Sequence, residues 1–243
     1  MTSRYLLGTR RVIAMVLLSL IPVVLTVALV AARVAGFNIV LFQTVMIPLF
    51  LQVVMIFVTL VNATTLVREE IEDNTLPYLL TRPISKSAVV VYKYVGYLVV
   101  VLLLLLPPVV LAYGVTEAYQ ETAFATDLDV LSGFVVATVL GSAAYGGMFL
   151  FISVLIRKPL AVGLLFGFVW ESVIGSIPGD VPKLSLIYYL KSTMKGMIEF
   201  GPLTTFNTAV PAGDAVLILV GFTITAIVVS LLIFQQMEFR QKA

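Results

Sequence analysis

The sequence predicts an all-α integral membrane protein with six transmembrane helices. A helical hairpin joins the second and third spans, and re-entrant or interfacial helices lie between the fifth and sixth. Three observations predict it. The 243 residues are 60% apolar and only 12% charged, where a soluble domain carries about a quarter charged residues. Apolar runs of about 18 or more residues, long enough to cross a bilayer, recur along the whole length. The most charged stretch, residues 66–93, hangs between two of those runs and holds eight of the 28 charged residues. Residues 1–243 therefore read as one transmembrane domain.

The first span is predicted over residues 12–32, with Pro22 kinking it. The preceding segment mixes Tyr5, Leu6 and Leu7 with Arg4, Arg10 and Arg11. It suits an interfacial helix or a basic tail that sets topology. The apolar run continues without a small-residue cleavage site, so it reads as a retained span. The second span covers residues 39–67, longer than a bilayer of about 30 Å requires; it tilts or projects towards the charged hairpin. Gln52, Thr59 and Asn62 lie at offsets of seven and ten residues, within about a third of a helical circumference. Such a stripe lines a pathway or makes interhelical hydrogen bonds. The third span covers residues 88–113. Pro107–Pro108 removes two backbone donors inside it, which predicts a break or strong kink.

The loop from Thr116 to Asp129 holds Glu117, Glu121, Asp127 and Asp129 and no base. The fourth span, residues 130–156, is rich in glycine, alanine and serine, which permits close helix approach. Pro159 opens the fifth span, residues 160–177, where Gly163 and Gly167 stand in GxxxG spacing. Glu171 sits near its outer third, where an acid is a functional candidate or reaches the interface. Residues 175–213 are punctuated by four prolines and form short amphipathic pieces around Tyr188, Tyr189, Met194 and Met197. Any irregular backbone at membrane depth there needs protein or water around it. The sixth span covers residues 214–234.

Charge fixes the orientation. Six spans put both termini on one side, together with the hairpin and the turn at Arg157–Lys158. Eleven of the fifteen lysines and arginines fall there, and Arg33, Lys183, Lys191 and Lys195 fall opposite. The positive-inside rule makes the first side cytoplasmic, in a plasma membrane. The absence of Cys and His excludes disulfides, thiolate catalysis, Cys/His metal sites and imidazole chemistry.

Within the hairpin, Arg68, Glu69, Glu70, Glu72 and Asp73 precede Asn74, Thr75, Leu76, Pro77, Tyr78, Leu79 and Leu80, and Arg82, Pro83, Ser85 and Lys86 follow. Asp73 or Asn74 caps a helix of residues 73–81, with acids before it and bases after, in agreement with its dipole. So short a helix is unstable alone in water. Its exposed leucines dock in a partner's groove or pack on the membrane surface.

The pattern Glu72-x-Asn74-Thr75-Leu76-x-x-Leu79-Leu80-x-Arg82-Pro83-Ile84-Ser85-Lys86, with Lys93 on the next helix, resembles the signature of the ABC-2 type permeases. These are membrane subunits of ATP-binding cassette transporters. Asn74 stands where the family pattern has Gly, and Asn also tolerates the left-handed conformation. The six-span layout and the outer hairpin extend the likeness along the chain, and the nearest type resembles the nitrous-oxide-reductase maturation permeases. The resemblance implies that residues 73–81 are the coupling helix, seated on a nucleotide-binding subunit. It also implies a second permease copy, a pathway lined by the second and fifth spans where Gln52, Thr59, Asn62 and Glu171 fall, and export as the direction. The chain has no G-x-x-x-x-G-K-[ST] loop, so ATP and Mg are expected on a partner ATPase and no cofactor on this chain. The bilayer is a partner, and nucleic acid is not. Two other readings stand beside transport: a non-transporting anchor with the permease fold, and an intramembrane lipid-modifying enzyme, for which only Glu171 lies clearly within a span.

Overall fold

Each apolar run becomes a helix. The computed structural model describes residues 12–34, 36–72, 86–156, 158–175, 177 and 179–236, and no side chain in 66–72, 86–89 or 235–236. Its elements are α1 (Val12–Ala31), α2 (residues 39–72), α3 (Lys86–Tyr119), α4 (Leu128–Leu155), α5 (Pro159–Ile174), α6 (Leu186–Lys195) and α7 (Ala212–Gln236). Among the described residues five helices, α1, α2, α3, α4 and α7, are long and apolar enough to cross a membrane; α5 is shorter. The proposed N-terminal interfacial helix and the tail lie outside the described residues.

Prolines act differently in two helices. In α1 the helix is interrupted at Leu20, just before Pro22, as the missing amide predicts. In α3 the expected break at Pro107–Pro108 is absent: the helix runs unbroken through both. Its buried row of Val101, Leu105, Val109 and Ala112 crosses the proline pair. Packing along that face holds the helix where the backbone has lost two donors.

Helix α2 is one helix with a changed pitch. Asn38 caps it by accepting the Leu41 amide at 2.9 Å. Ile47–Val54 forms a π-helical stretch with Pro48 near its start. The apolar run closes at Val67 in the sequence, and the helix continues through Arg68 to Glu72.

Helix α4 is the hub, packed against α2, α3, α5, α6 and α7. Its small residues accept large side chains from its neighbours. Tyr97 of α3 lies over Gly146, and its hydroxyl donates to the Ser142 carbonyl at 3.0 Å. The GxxxG pair of α5 works within the chain: Gly163 receives Leu60 and Gly167 receives Ile56, both from α2.

The α3–α4 connection closes on a buried acid. Glu117 is buried and accepts the Thr122 hydroxyl, and Asp127 lies close enough to feel its charge. Burial, and then the neighbouring Glu117, hold the Asp127 carboxyl above its usual range. A raised carboxyl pKa favours the folded state while the group is protonated, and that contribution is lost as pH rises from the ordinary carboxylate range through the raised value. Asp127→Asn should therefore raise the thermal unfolding temperature in detergent at pH 7, with the gain vanishing below about pH 4. Gly146→Val should displace the Tyr97 ring and cost about 1–3 kcal/mol, read as a lower unfolding temperature in the same assay.

Candidate functional site

The candidate site lies where α5 ends and α6 begins. Helix α6 rises beside α4 in the opposite direction. A side chain at Gly141 would meet Leu190, and one at Gly133 would meet Ile198 just past the end of α6. The start of α6 is therefore level with the middle of α4, well inside the apolar span, and the chain leaves the membrane again beyond Ile198. This is a re-entrant helix, entered through residues 175–185 with a 3-10 turn at Val181–Leu184.

A helix that starts at membrane depth exposes amide donors that water cannot satisfy. Here three of them are satisfied by side chains. The Glu171 carboxylate accepts the amides of Leu186 and Ile187, each at 3.1 Å. The Ser185 hydroxyl accepts the amide of Tyr188 at 3.3 Å. Glu171 is only 2% exposed, and its charge lies at the positive end of the helix dipole. Trp170 donates its indole N–H to the Leu184 carbonyl at 3.3 Å beside it. The Tyr145 hydroxyl of α4 faces the same carboxylate without a hydrogen bond of ordinary geometry, and Lys191 of α6 attracts it through space.

The far end of α6 is tied as firmly. Lys195, in the last turn, donates to the Phe206 carbonyl at 2.6 Å, and the Tyr188 hydroxyl accepts the Ala209 amide at 3.1 Å. Ser192 and Thr208 share a hydrogen bond of 2.7 Å. The return loop to α7 is thereby fixed to α6.

The other residues singled out from sequence are dispersed. Thr59 is fully buried and donates to the carbonyls of Met55 at 2.7 Å and Ile56 at 2.9 Å. Asn62 is half-buried and donates to the Val58 carbonyl at 2.8 Å and to Met15 Sδ of α1 at 3.1 Å. Gln52 is half-buried within the π-helical stretch. The helical arithmetic that set these three on one stripe assumed an α-helical pitch, and the π turn changes it. Of the partner-binding residues, Glu70 and Glu72 end α2 and Lys86 opens α3. Asp73, Asn74, Thr75, Leu76, Tyr78, Leu79, Leu80, Arg82, Pro83 and Ser85 lie outside the described residues.

Sequence reasoning missed Ser185, Tyr145 and Gln43. Ser185 carried a usable signal, a cap residue directly before Leu186-Ile187-Tyr188. Gln43 carried none. It is wholly buried in α2, its amide has no hydrogen-bond partner among the described residues, and it abuts Gly201, whose φ of 96° suits glycine.

A bundle of apolar spans, one short span and a re-entrant helix capped by a buried acid define a polytopic α-helical membrane protein. The ABC-2 family of transporter proteins matches residues 25–239, and the chain belongs to that family. It is an ABC transporter permease by family and a multi-pass membrane protein by structure. No curated protein matches the chain.

Glu171→Ala should release the Leu186 and Ile187 amides at a cost of about 2–4 kcal/mol. Hydrogen exchange should then accelerate at those two positions. Glu171→Gln keeps one acceptor oxygen and should protect only one of them.

Proposed function

We propose that the chain is the membrane subunit of an ATP-driven exporter, receiving energy at the hairpin between α2 and α3 from a separate ATPase. The observation that carries this is the pair of helices flanking the hairpin. Helix α2 runs past its apolar residues into the charged Arg68–Glu72, and α3 opens at Lys86. Residues 73–85 connect these two charged helix ends in the sequence. They carry the Thr75, Leu76, Leu79 and Leu80 pattern that resembles a coupling helix. The missing phosphate-cradling loop assigns hydrolysis, and with it ATP and Mg, to the partner.

The same reading places two permease copies side by side in the plasma membrane with both termini cytoplasmic. The substrate passes along the faces of α2 and α5. The outward faces of these helices are apolar, with Val53 and Phe57 exposed on α2 and Leu165, Val169 and Val173 on α5. They suit a hydrophobic or amphipathic cargo. Glu171 serves in this account as the clamp between α5 and α6 rather than as a lining group. The likeness to nitrous-oxide-reductase maturation permeases is retained only at the level of the hairpin motif.

The test is co-purification with a co-expressed ABC ATPase subunit. Leu79→Asp with Leu80→Asp should abolish the association while the chain still inserts in the membrane. Association that survives both substitutions removes the coupling-helix assignment.

A further inference from the structure

A pocket of about 250 Å³ opens beside the first turns of α2, lined by Thr44, Ile47, Pro48, Lys191, Leu203 and Phe206 among others. Its depth follows from packing. A side chain at Gly141 of α4 would meet Met55 of α2, which fixes Met55 near the middle of the span. Pro48 and Thr44 lie about 10 to 16 Å nearer the start of α2. The pocket therefore sits at the boundary between headgroups and acyl chains, at the end of the bundle that carries the re-entrant helix.

Its walls are apolar and its one charge is positive. Lys191 is half-buried, and its Nζ stands 5.8 Å from the centroid of the Phe206 ring, within cation–π range. Glu171 attracts it through space, but both carboxylate oxygens are engaged by the Leu186 and Ile187 amides. The two hydroxyls of the pocket already donate to backbone, Thr44 to the Val40 carbonyl at 2.8 Å and Thr205 to the Pro202 carbonyl at 3.0 Å. An anion entering the pocket meets the ammonium as its donor.

The surface below the pocket continues it. Thr44, Pro48, Val53 and Phe57 are successive exposed positions on α2. The five-residue step from Pro48 to Val53 falls in the π-helical stretch Ile47–Val54, whose wider turn keeps the row straight where a regular α-helix would rotate it away. The row descends from the pocket towards mid-membrane as an apolar track. The cavity itself is below the usual range of about 300–1,000 Å³ for a whole ligand. It holds a headgroup and the first methylenes, and the track takes the remainder of a chain.

We propose that this pocket and track bind an anionic amphiphile, a molecule with one carboxylate or phosphate headgroup and an acyl chain, with Lys191 on the headgroup and Val53 and Phe57 along the chain. The inference refines the cargo class of the proposed function. Its test is independent of transport, because binding is read without nucleotide or ATPase.

The purified chain in nanodiscs of stated composition is irradiated with diazirine-bearing probes: a fatty acid, a phosphatidic acid and a phosphatidylcholine. Adducts are mapped by mass spectrometry. The two anionic probes should label residues 44–57 and 202–206, and the stronger of them identifies carboxylate or phosphate as the headgroup. Lys191→Gln should reduce that labelling about tenfold, the loss of one charge-assisted hydrogen bond. Lys191→Arg should restore it. Thr44→Trp, an exposed position that would close the pocket mouth, should abolish it with Lys191 intact. Phosphatidylcholine should stay at background. Equal labelling by the zwitterionic probe, labelling unchanged in Lys191→Gln or Thr44→Trp, or full competition by inorganic phosphate would each overturn the proposal.

Discussion

A helix that begins inside a membrane must satisfy its first amides without water, and the Glu171 carboxylate meets that requirement here. Two of its hydrogen bonds, to Leu186 and Ile187, and one from Tyr188 to Ser185 complete the first turn of α6. An isolated carboxylate at this depth is costly. Placed on a helix N-terminus it is offset by two charge-assisted bonds and the helix dipole. Removing either partner leaves the other uncompensated, so acid and re-entrant helix require each other. The shortness of α5 follows, since its last turn must deliver Glu171 to mid-membrane rather than continue across.

The rest of the bundle makes room for that arrangement. Helix α6 occupies a slot against α4 and α7, and α4 supplies the space through Gly133 and Gly141. Without a hydrophobic drive between helices in lipid, close packing of this kind and interhelical hydrogen bonds supply the cohesion. The bonds from Tyr94 and Tyr97 to α4 carbonyls at 2.7 and 3.0 Å, and from Ser153 to the Thr64 carbonyl at 2.9 Å, tie α3 and α2 to the same hub. Helix α5 is tied to α2 as well, through Leu60 over Gly163 and Ile56 over Gly167.

Most of the architecture was legible in the sequence, because span length and composition are set by the bilayer and not by tertiary detail. The helices of α1, α4 and α7 fall within two residues of their apolar runs. What was not legible depended on neighbours. Pro107–Pro108 reads as a break in isolation, and only the buried row on α3 keeps that helix continuous. The stripe of Gln52, Thr59 and Asn62 was built on a regular pitch, and the π-helical stretch that alters it has no signature beyond Pro48. Glu171 was singled out as an acid within a span. Its partners are backbone amides of residues 15 and 16 positions later, which no side-chain pattern announces. The family was legible from the hairpin motif, most of whose residues lie outside the described structure, and rests on the match over residues 25–239.

The central claim is that Glu171 makes α5 and α6 one rigid unit. The chain has no cysteine, so spin labels can be placed at will on the exposed positions Val173 and Leu184. Their separation should be measured by pulsed electron resonance, with and without the ATPase trapped in its nucleotide-bound state. The account predicts one narrow distance distribution that is the same in both states and broadens in Glu171→Ala. A shift or broadening on trapping in the otherwise unaltered chain, or an unchanged narrow distribution in Glu171→Ala, would contradict it.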